Sequence, residues 1–371
     1  MRLIAALAAL AIPIAVHAQS TVIRGAGATF PADVYASWAF AYQKEKKVPV
    51  QYQAVGSGEG VRRIASRQVD FGASDEPLPA TELQKQNLVQ FPTVVGGIVP
   101  VVHLRGVKPG ELKLTGALLA RIYSGQIRHW NDPELLALNR GVHLPARPIQ
   151  RVVREEPSGS TRTFVRYLAR HDASWERRVA LKVDWPGETI AARGTKGVAD
   201  AVKATEGAIG YVSYQEAVRQ SLAAVQLQNR NGQFVLPGER TIQSAIAASD
   251  MVKGDETANL VDLPGADVWP IAETTYVLVP RQVSDAGQAK RVLNFFYWVF
   301  AQGDQMAADT GFVPLPTRIQ ARLLSRFREV TGPDGRPIEF LGGRPDEPLL
   351  AFRPASSSSR PGAIPSRPAG A

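Results

Sequence analysis

Three short stretches of this chain carry residues suited to holding a small oxyanion. They are "GAGATFP" (Gly25 to Pro31), "GSGEG" (Gly56 to Gly60) and "SGST" (Ser158 to Thr161). Each is small, bears a hydroxyl and stands just before a segment with helical spacing. Helix N-termini expose unpaired N–H groups and about half a positive elementary charge, so such loops bind oxyanions through backbone donors and hydroxyls. The same residues also make ordinary N-caps, and it is their threefold occurrence that favours a ligand. Arg154, in "VVREEPSGSTRTF", adds charge and a bidentate fork suited to a tetrahedral anion four residues before Ser158. Asp75, in "DFGASDEPL", follows a predicted strand and reads either as a turn cap or as an acceptor at the same site. An ionised carboxylate only accepts hydrogen bonds, so beside an oxyanion it prefers one that brings its own proton. Protonated phosphate does so and sulfate does not.

Other chemistries lack their parts. No Gly-Lys-Ser/Thr follows any of the loops, and "GAGATF" lacks the third glycine and the acidic residue of a dinucleotide fingerprint. Hydrolysis through Ser57 or Ser158 needs a base, yet His103, His129, His143 and His171 show neither triad order nor metal spacing. The chain has no cysteine, which removes disulfides, thiolate metal sites and a cysteine nucleophile. We therefore expect no catalytic residue, no metal and no cofactor. The formal charge of +9 favours encounter with anions. The basic residues are scattered among acids without interleaved aromatics, so nucleic acid is not the expected partner.

The elements that must position these loops read as α/β. A strand, a glycine turn and a helix open the chain after residue 20, and "VPVQYQAVGSGEGVRRIASRQVDFGASDEPL" repeats that grammar, with a short strand at Val69 to Gly72. Glycine loops at the carboxyl ends of strands are where open α/β sheets bind ligands. "LVQFPTVVGGIVPVVHL" reads as a buried strand, with Gly96-Gly97 as a crossing point between lobes. "RPIQRVVREEPSGSTRTFVRYLARH" is a further strand, loop and helix, and "WPIAETTYVLVP" a further strand.

The N-terminus, with Arg2, a short apolar run and Val16-His17-Ala18, reads as a secretory signal peptide over residues 1–18. The Pro/Ser-rich end, 345–371, reads as a disordered tail. Between them we expect a first lobe over 19–97, a second over 98–272, and a return to the first over 273–344.

In their order, "GAGATFPADVYASWAFAYQKE", "GSGEGVRRIASRQVDFGASDEPL", "QFPTVVGGIVPVV", "IYSGQIRHWNDP", "RVVREEPSGS", "EGAIGYVSY" and "WPIAETTYVLV" resemble the periplasmic phosphate-binding protein of bacterial ABC phosphate importers. The similarity runs from about Val22 to about Pro337. It implies a two-lobed periplasmic-binding-protein fold, each lobe a mostly parallel sheet flanked by helices, with inorganic phosphate in the inter-lobe cleft. It also implies a soluble, monomeric periplasmic protein that is not an enzyme and delivers phosphate to transmembrane permease subunits. By matching position, Thr29 and Phe30 are implied to donate N–H groups, with the Thr29 hydroxyl adding a bond. Ser57 is implied to bind through N–H and hydroxyl, Asp75 to accept the phosphate proton, Arg154 to pair with the charge, and Ser158, Gly159 and Ser160 to form the third loop.

The chain departs from the family pattern at Gly58-Glu59, at Pro157 and at Ser160. Glu59, Glu155 and Glu156 are expected to point to solvent as favourable charge in or near first helical turns. The rival reading is altered affinity or another oxyanion, such as sulfate, molybdate or tungstate; a secreted phosphohydrolase and an envelope adhesion or structural protein are the alternatives from other classes.

Overall fold

The structure, a computed structural model, describes residues 22–341; the expected signal peptide and tail lie outside the described residues. At the start of the chain, strands and helices alternate because short apolar runs are separated by glycine turns. β1 (Ile23–Gly27), α1 (Ala32–Lys46), β2 (Val50–Ala54), α2 (Ser57–Ala65) and β3 (Phe71–Ser74) follow in order. β1 pairs in parallel with both β2 and β3, as helical crossovers require. α1 buries Val34, Tyr35, Trp38, Ala39 and Tyr42, one stripe at helical spacing. The sequence reading starts the third strand at Val69. It starts at Phe71, where pairing with Gly25 begins, and so ends directly before Asp75.

β4 (Leu88–His103) is buried along all but its last residue. A strand covered on both faces is apolar throughout rather than alternating, which is why it reads as one continuous run. Its first part, Leu88–Gly97, pairs antiparallel with the strand Ala272–Pro280, and its second, Ile98–His103, with the strand Ala208–Ser213. The partner thus changes between Gly97 and Ile98. Beyond Ala208–Ser213, the strands Gln150–Arg154 and Ile190–Ala192 continue in parallel. Among the described residues a continuous ten-stranded sheet results, with a parallel trio at each end and β4 running through both lobes, beside a separate sheet of three short strands.

Two local features seat the binding loops. A Cβ on Gly96 would lie 2.6 Å from the Phe30 ring and 2.8 Å from the Phe312 ring. Those rings meet edge to face at 5.1 Å, so glycine is what lets Phe30 pack under β4. The register between β4 and Ala272–Pro280 shifts between Thr275 and Tyr276, opposite Pro92. Proline cannot donate to the ladder, and a bulge is where a sheet tolerates it.

In the second lobe the helix Gly159–His171 buries Phe164, Tyr167 and Leu168. Phe164 stacks on Tyr211 of the neighbouring strand with ring centroids 4.3 Å apart. That packing fixes the direction in which the start of the helix points.

Candidate anion-binding site

The three loops converge where the carboxyl ends of β1, β3 and Gln150–Arg154 face one another. The second loop supplies Ser57, the first residue of α2 after Gly56, whose φ of 100° is a glycine conformation. Ser57 Oγ accepts hydrogen bonds from the Asp75 N–H at 3.2 Å and the Gly159 N–H at 3.1 Å. A hydroxyl has two acceptor positions and one proton, so with both acceptors engaged its O–H is left to donate. The Ser57 N–H, in the first helical turn, has no intrahelical acceptor.

The first loop places Thr29 against the second lobe. Its Oγ1 accepts from Arg154 Nη2 at 2.8 Å and from the Thr195 N–H at 3.2 Å, and lies 3.1 Å from Thr195 Oγ1. Phe30 anchors this loop from below. In the third loop Ser158 is the N-cap of Gly159–His171, its Oγ accepting the Thr161 N–H at 3.3 Å. Gly159 directs its N–H to Ser57, and an added Cβ would meet Asp75 Cβ at 2.7 Å, so this position is held to glycine by contact. The Ser160 hydroxyl donates to Glu273 Oε1 at 2.6 Å, and its N–H, in the first helical turn, has no intrahelical acceptor.

Asp75 is 4 % exposed and Oδ1 accepts the Thr275 hydroxyl at 2.7 Å. Burial pushes its carboxyl up to about 7; the Thr275 bond, the Arg154 charge and the Ser57 and Ser160 hydroxyls offset part of that rise. At neutral pH Asp75 therefore exchanges between an acceptor-only carboxylate and a neutral acid that can also donate.

Arg154 is 6 % exposed, its Nη2 held by Thr29 and its Nε by Glu156 Oε1 at 2.8 Å. Here one sequence expectation is corrected. Glu155 is exposed, and Glu59 lies on the outer face of α2 with Arg62 and Arg63, which hold its carboxyl down to about 2. Glu156 instead turns inward, pairs with Arg154, and accepts the Gly194 N–H with both oxygens at 3.2 Å. A guanidinium in a low-dielectric site needs a counter-charge, and the N-terminus of the helix Gly194–Ala204 attracts the same carboxylate.

All eight sequence-predicted residues thus lie around one place, while Glu156, Thr195, Thr275 and Glu273 were not foreseen there. For Glu273 a signal existed, a lone charge inside the otherwise uncharged "WPIAETTYVLV". Beside the site a cavity of about 420 Å³ opens outward between Thr29, Glu156, Arg193, Thr195 and Lys196. The arrangement offers convergent donors, one cation already matched by a carboxylate, and one buried carboxyl that can accept a proton. That set is suited to an anion; it contains no hydroxyl paired with a histidine, and among the described residues no three His, Asp or Glu side chains are grouped to hold a metal. No helix of the described residues is long and apolar enough to cross a membrane.

Comparison with known proteins agrees with this architecture. Residues 15–301 match the model of the PBP superfamily domain. The phosphate-binding protein PstS of Haemophilus influenzae is 41 % identical over 318 residues, covering 84 % of this chain and 94 % of that protein. PstS of Xylella fastidiosa is 38 % identical over 323 residues, covering 85 % and 88 %. A solved high affinity periplasmic phosphate-binding protein, PfluDING, superposes with a TM-score of 0.66 at 24 % identity, covering 82 % of this chain and 93 % of its own, which speaks to the fold. By sequence over most of its length and by its two-lobed α/β architecture, the chain belongs to the PstS phosphate-binding protein family of the PBP superfamily.

Proposed function

We propose that this chain binds inorganic phosphate between its two lobes and hands it to the transmembrane subunits of an ABC importer, acting in the periplasm after removal of residues 1–18. The change of partner strand at Gly97/Ile98 supports lobe boundaries at 97/98 and 272/273, with closure carried by β4 and Ala272–Pro280. Thr29, Phe30, Ser57, Asp75, Arg154, Ser158, Gly159 and Ser160 are the proposed ligand residues.

The observation that carries this reading is Asp75, a buried carboxyl whose Oδ1 accepts the Thr275 hydroxyl and whose N–H donates to Ser57 Oγ at the start of α2. Since Glu156 matches the charge of Arg154, net charge does not draw the anion in. Its hydrogen-bonding pattern does: oxygens toward the Ser57, Ser160 and Phe30 N–H groups and the Ser57 and Ser158 hydroxyls, one O–H toward Asp75. Phosphate presents both oxygens and a proton, whereas sulfate, molybdate and tungstate present oxygens alone. Release then follows from reopening, since no bond of the ligand is made or broken.

The test is calorimetric titration of the mature protein with phosphate and with sulfate at about pH 8, above the Asp75 ionisation. Saturable phosphate binding with a large excess over sulfate is expected. Equal binding of the two anions there would sink the role of Asp75, and steady hydrolysis of a phosphate monoester would sink the transport reading.

A further inference from the structure

The strand that brings Thr275 to Asp75 carries another carboxyl two residues earlier. Glu273 is 3 % exposed, its Oε1 accepts the Ser160 hydroxyl, and its Oε2 is buried without a hydrogen-bonding partner. Among the described residues no ion pair neutralises it. Arg154 is held by Glu156 and Thr29, and Arg166 by Glu76 at 2.8 Å. Asp75 and Glu273 line one cavity of about 180 Å³ with Glu76, Thr163, Arg166 and Tyr276. The charged and titratable groups around Glu273 are thus Asp75 and Glu76 after β3, Arg154 at the third loop, Arg166 on the helix that carries Ser160, and Tyr276 on its own strand.

An ionised Glu273 would be an unpaired buried charge immediately behind Ser160, facing the place where the anion is proposed to sit. We infer that Glu273 is a further positioning residue of this site: it stands behind Ser160 as a neutral carboxylic acid, and the anion is retained only while Glu273 keeps its proton. The inference rests on the phosphate-binding reading above. Burial, and then the Asp75 charge, push the Glu273 carboxyl well above the usual carboxylate range, with Ser160, Thr163 and Arg154 offsetting part of the rise. A bound anion favours the protonated form further. Affinity is therefore full below the ligand-free pKa of Glu273 and falls as pH rises through it, about tenfold per pH unit for one proton.

Glutamine at this position keeps the size and the acceptor for Ser160 but cannot ionise. Phosphate affinity of the native protein and of Glu273→Gln is measured by calorimetry from about pH 6 to about pH 10, with proton uptake obtained from two buffers of different ionisation enthalpy. Above the pH at which ligand-free Glu273 gives up its proton, the native protein is expected to lose affinity more steeply than the variant, by about tenfold per pH unit, and to take up about one proton more on binding. Parallel profiles overturn the role of Glu273 while leaving phosphate binding intact. Absence of saturable phosphate binding by the native protein at any pH overturns the binding reading itself. Should the variant not fold, the native count decides alone: binding without proton uptake at alkaline pH overturns the inference.

Discussion

Replacing Asp75 by asparagine separates charge from geometry at the centre of the site. The asparagine carbonyl still accepts from Thr275, so the β3 end stays anchored, while the amide turns an acceptor toward the ligand into a donor. At about pH 8, one unit above the native Asp75 value of about 7, roughly one ligand-free molecule in ten carries the proton. Sulfate brings no proton and must wait for that minority, a penalty of about 1.4 kcal/mol. The amide removes the penalty, so sulfate is expected to gain about tenfold. Phosphate loses a charge-assisted hydrogen bond of about 1.5–3 kcal/mol, a weakening of roughly 10- to 150-fold. The phosphate-to-sulfate ratio should therefore collapse by about a hundredfold or more. Titrations of both proteins with both anions, at about pH 8 and about pH 6, read this directly. Near pH 6 native Asp75 is already mostly protonated, so the sulfate gain should nearly vanish there. An unchanged phosphate-to-sulfate ratio, or a sulfate gain of equal size at both pH values, refutes the reasoning.

The same substitution bears on stability without ligand. The Asp75 carboxyl is raised from 3.8 to about 7 by folding, so the native state binds more protons than the unfolded one within that window and stability declines as pH rises through it. Asp75→Asn removes that decline: the ligand-free variant should exceed the native protein by up to about 4 kcal/mol above pH 7, and denaturant unfolding should show the difference closing below about pH 4. Gly159→Ala drives a methyl to 2.7 Å from Asp75 Cβ and 2.8 Å from its carbonyl carbon, a contact with backbone that cannot swing away. Overpacking of about 1–3 kcal/mol should separate Asp75 from the third loop. A folded variant, checked by circular dichroism, is expected to bind phosphate at least about tenfold more weakly; native affinity would contradict the contact.

Much of the frame is written in local patterns. Gly56-Ser57 and Ser158-Gly159 announce helix starts because turn conformation and capping depend on a few neighbouring residues. The apolar run of β4 announces a strand covered on both faces because burial leaves no alternation. The eight proposed ligand residues are readable as candidates for the same reason, each standing at a strand end, in the loop after it or in the first turn of the next helix. Glu156 was not: on local grounds a glutamate before a helix start points to water, and its inward turn depends on Arg154 and on Gly194, 38 residues away.

What the amino-acid sequence determined by itself was thus the set of loops, the strands and helices that carry them, and the donor-rich character of the place where they meet. Only the tertiary structure decided which partners the polar groups take there. Ser160 meets Glu273 across 113 residues and Asp75 meets Thr275 across 200. Conformational preference is settled over a few residues, whereas the protonation of a buried carboxyl follows from desolvation and from whichever groups the completed fold brings against it.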